Sequence, residues 1–203
     1  MIARVLVIIL CSHCVCGQSA HAIRIHFLYG SRPHPAYKES EKRWFGGRLG
    51  GHVGIEYAPG RVLSFVPRGR FHLFSRPRNV HSAFAVHAVS EFYSIFGADP
   101  GSVKSAIVTI PLKPSQRSLV DSIVYTYRSQ TPYDYALIGM RCAAATYDIL
   151  AHSGVVRKYR PLKTIWKIFY PRKLRKLLFR KAEAKGWQVD WQPGSTKRKW
   201  DRD

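Results

Sequence analysis

The feature that most constrains this chain is a series of short strand-like segments divided by turn dipeptides. His52 to Tyr57 (HVGIEY), Arg61 to Val66 (RVLSFV) and Arg70 to Phe74 (RFHLF) are rich in β-branched and aromatic residues, and Pro59-Gly60 and Arg68-Gly69 separate them. Closely spaced segments of this kind predict an antiparallel meander. Ile23 to Phe27 (IRIHF), Ser82 to Val89 (SAFAVHAV) and Lys104 to Leu112 (KSAIVTIPL) add further strands. Ser90 is placed to cap a short helix through Phe96, which Gly97 would end.

The periodicity then turns helical. Leu119, Ile123, Val124 and Tyr127 fall on one face of a segment that Ser115 could cap and Thr131-Pro132 breaks. Cys142 to His152 (CAAATYDILAH) is made of strong helix formers, with Gly154 suited to its C-terminal end. Leu162, Ile165, Trp166 and Phe169 recur at helical spacing, and Pro171 opens another helix carrying Leu174, Leu177 and Leu178, stopped by Gly186. Trp187 to Asp203 reads as partly loose. The expected fold class is α+β: an antiparallel sheet packed against a cysteine-bearing helix, with a basic, mainly helical extension over 156–203.

The N-terminus reads as a secretory signal over residues 1–22. Arg4 supplies a short positive region, Val5 to Cys11 an apolar one, and cleavage would follow Gly17 or Ala22. An exported protein, periplasmic or extracellular, is the expectation, and the alternative is a buried first strand. Cleavage at either site removes Cys11, Cys14 and Cys16 and leaves Cys142 alone, as an inert small hydrophobe or as a reactive thiol.

Charge narrows the choice of partners. Lys and Arg number 33 against 12 acids, a net +21, and 16 of those cations lie from Arg157 onward against four acids. Such a field favours anionic partners, and an exported chain points to an anionic envelope surface before nucleic acid. Three readings of the basic C-terminal region stand: a solvated helical face, a membrane-surface helix in which Leu174, Leu177, Leu178 and Phe179 interleave with Arg and Lys, and a nucleic-acid surface. The remaining histidines show no compact ligand pair, so no metal or other cofactor is expected.

A thiolate is favoured by a helix N-terminus and by a nearby imidazole. Cys142 stands where a helix begins, beside Arg141, and His52 follows Gly50-Gly51 at the mouth of a strand. Gly51-His52-Val53-Gly54-Ile55 with Arg61-Val62-Leu63-Ser64-Phe65 resembles the histidine hairpin of the NlpC-type papain-like superfamily. Tyr133-Asp134 through Arg141 to Leu150 resembles its cysteine helix. Histidine before cysteine resembles the circularly permuted, lecithin:retinol acyltransferase-like branch. The resemblance covers about Ile23 to Gly154, with the papain-like domain at 23–155.

That resemblance implies Cys142 as nucleophile and His52 as its base, cleaving an amide or ester of an envelope peptide or lipid by hydrolysis or acyl transfer. It implies Ser64 at the third, orienting position, where serine departs from the more usual His, Asn or acid. Glu56 and His72 are substitutes. Tyr133 and the Cys142 amide are candidate oxyanion donors. Trp44 either lines the cleft beside His52 or packs under a loop, and Arg141 is a binding candidate. The alternative function is a catalytically weak or inactive papain-like module that binds an anionic envelope polymer, lipid or nucleic acid.

Overall fold

The computed structural model describes residues 21–30, 51–68, 72–75, 78–79, 81–97 and 103–194. The segment before residue 21 and Trp44, with its glycine-rich surroundings, lie outside the described residues.

Six strands form one antiparallel sheet: β1 (Ala22–Leu28), β2 (His52–Ala58), β3 (Arg61–Pro67), β5 (Ser82–Ala88), β6 (Ser105–Pro111) and β8 (Val189–Gln192), in the order β5-β3-β2-β1-β6-β8. Five helices accompany it among the described residues: α1 (Val89–Gly97), α2 (Pro114–Ser129), α3 (Cys142–His152), α4 (Pro161–Lys167) and α5 (Pro171–Lys185). The protein is therefore α+β. Two expected helix starts move by a residue or more. Pro114, whose missing N–H suits a first turn, opens α2 after Lys113, and α1 already includes Val89.

The meander holds only for β2 and β3. Strand β4 (His72–Phe74) leaves the main sheet and pairs in parallel with β7 (Ala136–Ile138), while β5 takes the edge of β3. The physical reason is side-chain alternation. Phe84 and Val86 of β5 join the main core, whereas Leu73 and Phe74 of β4 stay exposed.

Both faces of the central strands are covered. Odd-numbered residues of β1 and β2, including Ile23, Ile25, Phe27, Val53 and Ile55, meet α3 and α5 in the main core. Even-numbered positions meet α1, where Leu28, Val62, Val66, Phe92, Tyr93 and Phe96 form a second cluster. Gly54 makes that second layer possible: a Cβ there would sit 2.5 Å from Val62 Cγ1 and 2.8 Å from Phe92 Cε2.

The expected boundary at residue 155 is not a structural one. Val156, Ile165, Ile168, Leu174, Leu178 and Ala182 are buried in the same core as the sheet, and β8 pairs with β6. Each of these Val, Ile and Leu side chains contributes roughly 1.5–3 kcal/mol by burial. This also corrects the membrane-surface reading of α5. Leu174 and Leu178 are buried, and Leu177 and Phe179 pack against the core, so the helix has no apolar stripe left for lipid. The tail expected to be loose supplies β8.

Candidate functional site

Cys142 is the first residue of α3, and Arg141 is its extended N-cap. The helix packs on β2 and β3 from the main-core side. The thiol is 3% exposed. Burial pushes its pKa up from the ordinary value. The Arg141 charge, the backbone N–H groups of Val53 and Ala143, and the Tyr135 hydroxyl pull the other way without overcoming burial. The helix end and neighbouring cation are thus as expected, but desolvation wins and the sulfur stays a neutral thiol.

His52 opens β2 on the opposite face. Its ring stacks on Phe96 with centroids 3.8 Å apart and lies 5.7 Å from Phe92, both on α1. The side chain is 1% exposed. Its pKa is lowered to about 3, first by burial and then by the nearby His87. A thiolate neighbour would raise an imidazole pKa. The next residue, Val53, carries its side chain into the core with Cys142 and offers its N–H to the sulfur. The strand thus brings its backbone to the thiol and turns the imidazole away. Five successive pairs from Leu28↔His52 to Arg24↔Glu56 hold that register without a bulge. The expected Cys142–His52 pair is not brought together.

The other site candidates divide in the same way. Ser64 follows Val62 by two and faces α1; its hydroxyl is buried with no hydrogen-bond partner among the described residues. Glu56 also faces α1, but it is engaged elsewhere. Its Oε2 lies 2.8 Å from His26 Nε2 and 2.9 Å from Arg24 Nη1, and Oε1 accepts the Gly60 N–H at 2.9 Å. Burial alone would raise its pKa. The hydrogen bonds from His26 and Gly60 and the charges of His26 and Arg24 together hold it at about 2. Tyr133 does not serve the thiol: its hydroxyl is 3.4 Å from Asp148 Oδ2, amid Phe65, Phe84 and Tyr127. Tyr135 is the tyrosine beside Cys142. Arg141 lays its guanidinium 3.8 Å from the Phe169 ring centroid and 4.8 Å from that of Tyr170, and donates to the Phe169 carbonyl. His72 lies 3.7 Å from the buried Asp134, which accepts from the Ser82 hydroxyl at 2.7 Å.

A polar network that sequence reasoning missed runs along the α1 face. His26 is fully buried, with Nδ1 3.0 Å from the Tyr93 hydroxyl and Nε2 on Glu56. The ring donates from Nε2 to the carboxylate and pairs through Nδ1 with the phenol. Ser105 bonds the Tyr93 oxygen in turn. This arrangement neutralises a buried carboxylate and ties β1, β2 and α1 together. The sequence signal was present only as His26 and Glu56 each sitting in an alternating strand; their meeting depends on the β1–β2 register. Among the described residues no group of three or more His, Cys, Asp or Glu side chains could hold a metal ion.

Fold and site define an α+β protein with a buried thiol beneath one face of its sheet and a histidine-centred polar network on the other. No family model matches the chain, and neither the curated proteins nor the solved structures contain a significant match to it.

Proposed function

We propose that the chain is a non-catalytic, papain-like module that binds an anionic polymer or surface of the cell envelope through its basic C-terminal helices. The observation that carries this reading is the sheet itself, which stands between the only cysteine of the described residues and His52. The hairpin β2–β3, with a cysteine helix laid on it, supports the permuted papain-like scaffold. The engaged Glu56 and the neutral, aromatic-caged His52 leave that scaffold without a base for the thiol.

What supports binding is exposed positive charge. Arg157, Lys158, Arg160, Lys163, Lys167, Lys173 and Lys176 are exposed along one continuous stretch of chain. A field of that sign concentrates anions and raises association rates. Export fits the apolar N-terminal run. Cleavage after Gly17 would leave β1 whole, whereas cleavage after Ala22 would remove the first residue pair, Ala22↔Pro111.

The test is binding to polyphosphate, a soluble linear polyanion, at 50 and 200 mM salt, for the wild-type chain and for Cys142→Ala. Affinity is expected to fall about tenfold or more with salt and to agree within about twofold between the two proteins. Salt-insensitive binding, or loss of binding in Cys142→Ala, would sink the reading.

A further inference from the structure

We infer that α4 is a docking element for an anionic phospholipid bilayer, with Leu162 and Trp166 entering the interface and the surrounding cations meeting lipid phosphates. This deepens the anionic-surface reading above and rests on it. On α4, Leu162 is 73% exposed and Trp166 66% exposed. They are four residues apart, hence on one helix face a turn apart. Their neighbour Ile165 is buried, so the helix is anchored to the core by one side and presents these two outward. Most solvent-exposed apolar side chains stand singly; an aliphatic and an indole side by side at the centre of a cationic region do not.

The cations around them converge. Lys163 Nζ and Lys167 Nζ each lie 5.3 Å from the Tyr159 ring centroid, and the Arg157 guanidinium lies 5.9 Å from it. Three like charges around one ring repel each other within a Debye length. None of the three makes an ion pair among the described residues. Tyr159 is itself fixed, stacked on Tyr147 at an interplanar angle of 3°. A cluster of cations without carboxylates is relieved by an external anion such as a lipid phosphate.

The combination chooses lipid over nucleic acid. Phosphate contacts alone would use the cations, and a base would stack on Trp166, but neither employs the exposed aliphatic Leu162. An indole and a leucine beneath lysines match the headgroup and upper acyl region, where Trp sits at the polar boundary and Lys reaches outward. No helix among the described residues is long and apolar enough to cross a membrane, so this contact lies on the surface.

The test uses the full chain and the double variant Leu162→Ser/Trp166→Ser. Both are measured for sedimentation with vesicles of equal parts phosphatidylglycerol and phosphatidylcholine, with pure phosphatidylcholine vesicles, and for affinity to polyphosphate and to a single-stranded oligonucleotide. Both substitutions are at exposed positions, and an unchanged thermal midpoint checks folding. The inference expects the wild type to prefer anionic vesicles. It expects the double variant to lose about ten- to a hundredfold in vesicle affinity, and polyphosphate binding to be unchanged. Equal vesicle binding by both proteins overturns the role of α4 and leaves the anionic-surface reading standing. A wild type that binds neither vesicles nor polyphosphate overturns both. Tighter binding to single-stranded nucleic acid than to anionic vesicles, weakened in the double variant, overturns lipid in favour of nucleic acid.

Discussion

Replacing Gly51 by alanine is expected to destabilise the fold by about 3–5 kcal/mol, whereas the same change at Gly60 should cost only about 1 kcal/mol. Both glycines have positive φ, +71° at Gly51 and +76° at Gly60. An L-residue in that region carries roughly 1–2 kcal/mol of strain. The difference lies in what the new methyl meets. At Gly51 it would fall 1.8 Å from the Leu28 carbonyl oxygen and 2.8 Å from the Gly30 nitrogen, both rigid backbone; at Gly60 nothing lies within 4 Å. Leu28 pairs with His52, so relieving the overlap would prise β2 from β1 at the residue that positions the imidazole. Urea denaturation of the two variants checks this. A gap below about 1 kcal/mol between them would mean that the chain does not approach itself so closely at Gly51.

Acid should weaken the fold in two steps, the larger set by His52. The unfolded imidazole titrates near 6.5 and the folded one near 3, so between those values the unfolded chain binds more protons. Stability is therefore full above about pH 6.5 and declines as pH falls toward 3, by roughly 3–5 kcal/mol in total. Glu56 acts lower. Its carboxylate is held near 2 against 4.5 in the free state, so its contribution is present above pH 4.5 and fades toward pH 2. Other groups facing His52 are His87, whose Nδ1 lies 3.5 Å from Glu91, and across the sheet face His26 with Tyr93 and Arg24. His52→Leu removes one titration and keeps an apolar side chain against Phe96. Its loss of stability between pH 7 and pH 4 should be smaller than that of the wild type by about 2–4 kcal/mol. Equal losses in both proteins would show that the imidazole is not buried neutral.

The strands and helices were largely legible because their signals are local. Turn dipeptides bounded β2 and β3, and Gly186, observed at φ +65° as a left-handed cap, marked the end of α5. What sequence could not show was which face of β2 meets which helix. His52 to Tyr57 sets His52, Gly54 and Glu56 against Val53, Ile55 and Tyr57, yet both sides are buried, so alternation separates His52 from Val53 without saying which helix each one faces. That depended on Phe92 and Phe96 of α1 packing on the side where Gly54 leaves room. The same limit explains Tyr133 and Tyr135. Two tyrosines two residues apart were visible, but the sequence does not tell which of them reaches the thiol and which reaches Asp148. Strands β7 and β8 were missed because three or four residues carry too little period to stand out, and their pairing with β4 and β6 is long-range.

The measurement that bears most directly on the separation of thiol and imidazole is the pH dependence of Cys142 alkylation by iodoacetamide, in a chain whose Cys11, Cys14 and Cys16 are replaced by serine, with and without His52→Leu. A sulfur desolvated beneath α3 and out of reach of imidazole should react slowly, with a midpoint above the ordinary thiol value and the same profile in both proteins. Rapid alkylation near neutral pH that collapses in His52→Leu would place an imidazole on the sulfur and restore a catalytic pair.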